Sequence, residues 1–193
     1  SSVLPLFFGM VPQGEEQAVF EQLVDKIMVH TKGHIGTGLV GAQYLNRVLS
    51  DYGRSDISWQ LVTNTEYPSW GYMVKNGATT IWELWNGDTA NPAMNSHNHV
   101  MLIGDLNVWF YERLAGIRSA GPVFKPEPVK GVDYVKASLE TPYGKASSKW
   151  KVEGKKFSWD IEIPANTTAT VVTPAGKTEE LGSGKYSLEC VLP

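Results

Sequence analysis

The sequence contains one cysteine, Cys190, so no disulfide can close within the chain, and its place in an alternating apolar segment fits a packed thiol. There is no apolar run of membrane-spanning length, and the opening Ser1-Ser-Val-Leu-Pro-Leu-Phe-Phe-Gly9 lacks the basic start and cleavage pattern of a signal peptide. There is also no excess of positive charge. A formal net charge of -3 and a pI near 5.8 give no basic footprint for a phosphate backbone, which argues against a nucleic-acid partner. No solenoid repeat, low-complexity tract or long charge run interrupts the chain. What remains is 193 residues that are 42% hydrophobic and 19% charged, enough to bury a core and to divide into two domains.

The texture changes near Gly121. Before it, apolar residues recur at helical spacing; after it, they alternate in short runs between turn residues. Val19, Phe20, Leu23, Val24, Ile27 and Met28 make one face of a helix beginning near Gly14, with Glu15 and Glu16 in the first turn, where the helix dipole favours them. Leu45, Val48, Leu49 and Tyr52 form a second stripe ended by Gly53, and Ser55 is placed to cap a third helix. Pro68 and Ser69 open a short helix from Trp70 to Val74. A final helix is expected from about His99 to Ala115, burying Ile103, Leu106, Phe110 and Leu114.

In the second half, Ala146, Ser148, Trp150 and Val152 alternate with polar neighbours, Glu153-Gly-Lys155 turns, and Phe157, Trp159, Ile161 and Ile163 alternate in return. This is a β-hairpin. Further strands are expected around Val132 to Glu140, Thr168 to Thr173 and Tyr186 to Val191, which together suggest an antiparallel sandwich. The expected organisation is therefore a helical domain over residues 1–120 and a β-sandwich over 121–193.

The chemistry concentrates in Ala78-Thr-Thr-Ile-Trp-Glu-Leu-Trp85 and Asn95-Ser-His-Asn-His99. Glu83 stands between two tryptophans with imidazoles close in sequence. Indole faces cover the apolar C–H faces of a pyranose, and partial desolvation tunes a carboxyl group, so the stretch reads as a sugar-processing pocket. A helix-terminus glutamate in a surface ion pair is the alternative for Glu83. Trp82 and Trp85 would share one face if the segment were helical, with one packing the core and the other lining a subsite. Trp70 is a rim candidate whose simpler role is core packing. His97 and His99 do not make a metal site, because no Cys or third acidic ligand follows at useful spacing. Gly36-Thr-Gly38 lacks the Lys-Ser/Thr ending of a phosphate loop, which leaves close packing near the pocket.

Gly33-His-Ile-Gly-Thr-Gly-Leu-Val-Gly-Ala-Gln-Tyr-Leu45, Tyr67-Pro-Ser-Trp-Gly-Tyr72, Gly77-Ala-Thr-Thr-Ile-Trp-Glu-Leu-Trp85, Met94-Asn-Ser-His-Asn-His99 and Trp109-Phe-Tyr-Glu-Arg-Leu-Ala-Gly-Ile117 stand in an order and spacing that resembles the bacterial α-L-rhamnosidases, glycoside hydrolase family 78. Pro164-Ala-Asn-Thr-Thr-Ala169 is similar to that family's terminal β-domain. The resemblance implies an (α/α)6 barrel, a toroid of helical hairpins, of which the about five or six helices read from periodicity are only a part. It further implies that the rest of the catalytic domain, including the general acid, lies outside this chain. A severed barrel face would expose apolar residues and favour self-association.

The resemblance assigns Glu83 as general base of an inverting hydrolysis, in which two carboxyl groups stand about 6.5–9.5 Å apart. It makes His99 a sugar contact, leaves His97 as a variable pocket wall or plain surface because the family commonly carries another residue there, and calls for a rhamnose-containing oligosaccharide or glycoside and no cofactor. Trp85, Trp82 and Trp70 stay candidate substrate-facing residues whose alternative is core packing. Another helical-hairpin glycosidase, or a non-catalytic carbohydrate-binding or assembly module, are the remaining readings.

Overall fold

The computed structural model describes residues 2–102, 104–118 and 122–193. Helices come first and strands second, in two compact units, Ser1–Asn107 and Val108–Pro193. Gly121, where the sequence changes texture, and Ile103, assigned to the face of the last helix, lie outside the described residues. Among the described residues no helix is long and apolar enough to cross a membrane.

The first unit is built on α3 (Leu39–Asp51), whose Ala42, Leu45, Val48 and Leu49 are almost wholly buried. Around it pack α1 (Val3–Phe7), α4 (Ser55–Thr63) and a 3-10 turn, Val100–Leu102. α2 (Glu16–Asp25) packs on α1, and its Phe20 stacks on Tyr52 with ring centroids 4.4 Å apart. α2 passes directly into a π-helical turn, Lys26–His30, in which Ile27 is buried as expected while Met28, expected on the same face, is exposed. Ser69 caps α5 (Trp70–Lys75) by accepting the Tyr72 N–H at 2.9 Å, satisfying one donor that the helix start leaves free.

Two helical expectations need correction. Ser55 is the first helical residue and not the cap, and its hydroxyl donates to Ser50 Oγ at 2.7 Å, tying α4 to α3. The single helix expected from His99 to Ala115 is broken into the 3-10 turn, α6 (Gly104–Trp109) and a π-helical turn, Phe110–Leu114. Periodicity registers the spacing of apolar residues, but it cannot see changes in hydrogen-bond spacing along the chain.

In the second unit, β3 (Tyr134–Thr141), β4 (Gly144–Glu153), β5 (Lys156–Ile163) and β8 (Gly184–Val191) form one antiparallel sheet in that order. The β4–β5 hairpin has the expected register, with Trp150 opposite Trp159, and Gly154 takes the left-handed φ of +63° that a two-residue hairpin turn requires. A second sheet runs β1 (Ile117–Arg118), β2 (Val123–Phe124), β6 (Ala169–Val172), β7 (Thr178–Leu181). The expectation of purely antiparallel pairing fails at one place, because β2 and β6 pair in parallel. The two are far apart in sequence, so no tight turn forces them antiparallel.

The β core is tied to the chain just before it by two buried hydrogen bonds, and a third joins two of its own strands through the same serine. Ser148 Oγ donates to the Ala115 carbonyl at 2.6 Å and accepts the Trp159 indole N–H at 2.9 Å, and the Trp150 indole donates to the Leu114 carbonyl at 2.9 Å. Glu127 is bonded to both Arg113 and Arg118, at 3.2 and 3.0 Å, beside the same turn. Ser148→Ala would leave a buried indole N–H and a buried carbonyl unpaired, and is expected to lower unfolding stability by about 2–4 kcal/mol. Urea unfolding monitored by tryptophan fluorescence measures it, with Ser138→Ala on the exposed face of β3 as a control expected to stay within about 0.5 kcal/mol.

Candidate active site

The segment from Thr79 to Asn98 contains no α-helix, so the helical spacing considered for Trp82 and Trp85 does not apply. Residues 80–84 instead lie against residues 95–99, held by backbone bonds. His99 N–H donates to the Ile81 carbonyl at 2.7 Å, Glu83 N–H donates to the Ser96 carbonyl at 2.8 Å, and the Thr80 hydroxyl donates to the His97 carbonyl. Asn95 locks one end, accepting Leu84 N–H at 3.2 Å on Oδ1 and donating from Nδ2 to the Gly87 carbonyl at 3.2 Å. The two motifs that stand apart in sequence thus form one strap.

Glu83, half-buried, is held by this strap through its side chain as well as its backbone. Its Oε2 accepts the Ser96 N–H at 2.9 Å, while Oε1 has no protein partner among the described residues. A carboxylate with one oxygen fixed and the other open is oriented to accept a proton from water. His99 Nε2 is buried and has no hydrogen-bond partner, an arrangement that is costly unless a ligand or water completes it.

The tryptophans divide by depth. Trp82 is 4% exposed and packs with Ala42, Met73 and Leu102, while Gly87 lies so close that a Cβ there would sit 2.7 Å from the Trp82 ring. Trp70 is also 4% exposed, donates its indole N–H to the Leu102 carbonyl at 3.2 Å, and meets Trp85 in a T-shaped contact with centroids 5.3 Å apart. Trp85 is half-buried, and its indole donates to the Thr37 carbonyl at 3.1 Å, which docks the Gly36-Thr37-Gly38 turn against the site. His97 is exposed, lies over Trp82 with ring centroids 5.6 Å apart, and its Nε2 is 3.2 Å from the Gly87 carbonyl. Among the described residues no three His, Cys, Asp or Glu side chains gather to hold a metal.

Ser96 and Asn95 escape sequence reasoning, although they orient the carboxylate and pin its loop. Their residue types are common in turns, and only the pairing of the two segments reveals what they do.

Residues 1–114 match the bacterial alpha-L-rhamnosidase 6 hairpin glycosidase domain, and residues 116–187 match the bacterial alpha-L-rhamnosidase C-terminal domain. The chain belongs to the bacterial α-L-rhamnosidases. An alpha-L-rhamnosidase of Formosa agariphila is 35% identical over 191 residues, covering 94% of this chain and 20% of that protein. The alpha-L-rhamnosidase structure from Dictyoglumus thermophilum superposes with a TM-score of 0.93 at 32% identity, covering 98% of this chain and 25% of that one. That of Streptomyces avermitilis, complexed with L-rhamnose, gives 0.93 at 29% identity, covering 98% of this chain and 21% of the other. The chain spans about a fifth of the length of the curated rhamnosidases it matches.

Proposed function

We propose that this chain supplies the water-activating side of an α-L-rhamnosidase active site that works with inversion. The observation that carries the reading is the Glu83 carboxylate, fixed at Oε2 by Ser96 N–H and open at Oε1. In this reading Oε1 takes a proton from water as the water oxygen bonds to the anomeric carbon. The glycosidic bond breaks with its electron pair going to the leaving oxygen, which is protonated by an acid supplied from outside these 193 residues.

The other assignments follow the depth of each side chain. The unpartnered Nε2 of His99 hydrogen-bonds a sugar hydroxyl or the attacking water, and Trp85 and His97 offer ring surface to the rhamnose. Trp82 and Trp70 hold those rings in place from beneath. The substrate is a rhamnose-terminated oligosaccharide or glycoside. The remaining hairpins of the catalytic domain are the natural cover for Phe8, Met10 and Val29, which are 57%, 73% and 62% exposed.

The test is the configuration of the first product. Hydrolysis of an α-L-rhamnoside by the complete protein, followed by proton NMR before mutarotation, is expected to release β-L-rhamnose first. Initial release of the α anomer would contradict a base acting directly on water.

A further inference from the structure

Beside the strap lies a second group of side chains that the hydrolysis step does not use. The Tyr72 hydroxyl donates to Asp88 Oδ2 at 2.9 Å, and Tyr67 meets the Tyr72 ring edge to face with centroids 5.6 Å apart. Asp88 is exposed, and Tyr67 is 52% exposed. Both are anchored to the site. Tyr72, like Trp85, packs against the buried cluster containing Trp82, and Asp88 follows Gly87, whose carbonyl contacts Asn95 and His97. The Gly87 N–H donates to the Leu84 carbonyl at 3.1 Å, closing a turn that keeps the Cα atoms of Glu83 and Asp88 within roughly 14 Å.

An exposed aromatic ring and an exposed carboxylate, bridged here by Tyr72, make a pairing suited to a sugar. The ring covers an apolar C–H face and the carboxylate accepts hydroxyl hydrogens. The bond to Tyr72 holds Asp88 in one orientation, so little side-chain freedom is lost when a ligand binds. The same bond raises the Tyr72 pKa above the ordinary tyrosine value, which keeps the phenol protonated as the donor.

We propose that Tyr67 and Asp88, with Tyr72 as the positioning residue, form a subsite for the sugar unit attached to the scissile rhamnose. The proposal rests on the reading of Glu83 as the centre of the reaction, and it assigns this surface a role in choosing the leaving group.

The experiment compares two substrates in the complete protein: an α-L-rhamnosyl-glucose disaccharide, and α-L-rhamnosyl fluoride, which has no sugar beyond the anomeric carbon. Tyr67→Ala and Asp88→Asn are each expected to lower kcat/KM on the disaccharide about 10-fold more than on the fluoride, chiefly through KM, with Tyr67→Phe restoring the wild-type ratio. An equal loss on both substrates, or no loss on the disaccharide, overturns the subsite. Glu83→Gln run alongside separates the two ideas. Turnover surviving in Glu83→Gln refutes the base, whereas the substrate ratio in the Tyr67 and Asp88 variants reports on the subsite alone.

Discussion

Glu83→Gln in the complete protein is expected to reduce kcat on an aryl α-L-rhamnoside by about 10²–10⁴-fold, the usual contribution of a positioned acid or base. The substitution is close to isosteric. Its amide oxygen can still accept the Ser96 N–H that Oε2 accepts now, so the strap between residues 80–84 and 95–99 should persist. What disappears is the capacity to take a proton from water, because an amide is not a base near neutral pH. Thermal unfolding should therefore shift by no more than about 0.5 kcal/mol while turnover collapses. A variant that loses stability and activity together would point to a structural role for Glu83, and one with near wild-type turnover would remove it from the mechanism.

If the acid that protonates the leaving oxygen lies outside these 193 residues, as proposed, the chain on its own is expected to hydrolyse rhamnosides at least about 10²-fold more slowly than the complete protein. Its exposed apolar side chains, Phe8, Met10 and Val29 among them, should also draw copies together. Turnover assays and light scattering on the purified chain test both expectations. Wild-type turnover by the monomeric chain would mean that the acid is among its own residues.

How much of this was legible in the sequence depended on whether a structural feature leaves a mark on side-chain pattern. The β4–β5 hairpin did so plainly, since burial on one face writes strict alternation from Ala146 to Ile163 around a Gly-containing turn. β7 did not. Thr178-Glu-Glu-Leu181 is a half-exposed strand at the end of its sheet, so polar residues serve it well and no alternation appears. The two-residue strands β1 and β2 are too short to express any period.

The same rule governs the site. Glu83 and His99 stand in motifs that resemble the rhamnosidases, and those could be read directly. The pairing of their two segments could not, because Glu83 N–H to Ser96 and His99 N–H to Ile81 are backbone bonds across a long loop and demand no particular side chain. The depth of each tryptophan was likewise hidden. Trp82 and Trp85 are equal as letters, and only packing against Met73 and Leu102 sends one inward while Thr37 holds the other near the surface.

Chemical rescue tests the central claim most directly. In Glu83→Ala the space of the carboxylate is free for a small anion, and azide, which needs no deprotonation, can attack the anomeric carbon in place of activated water. Glu83 as the base of an inverting reaction predicts that azide restores turnover of an aryl α-L-rhamnoside and that the product is β-L-rhamnosyl azide. Recovery of the α azide would instead make Glu83 the acid/base of a retaining enzyme, and β azide alongside α-L-rhamnose as the first product of the unsubstituted protein would make it a retaining nucleophile. No recovery in a folded variant would mean that Glu83 does not stand where water attacks.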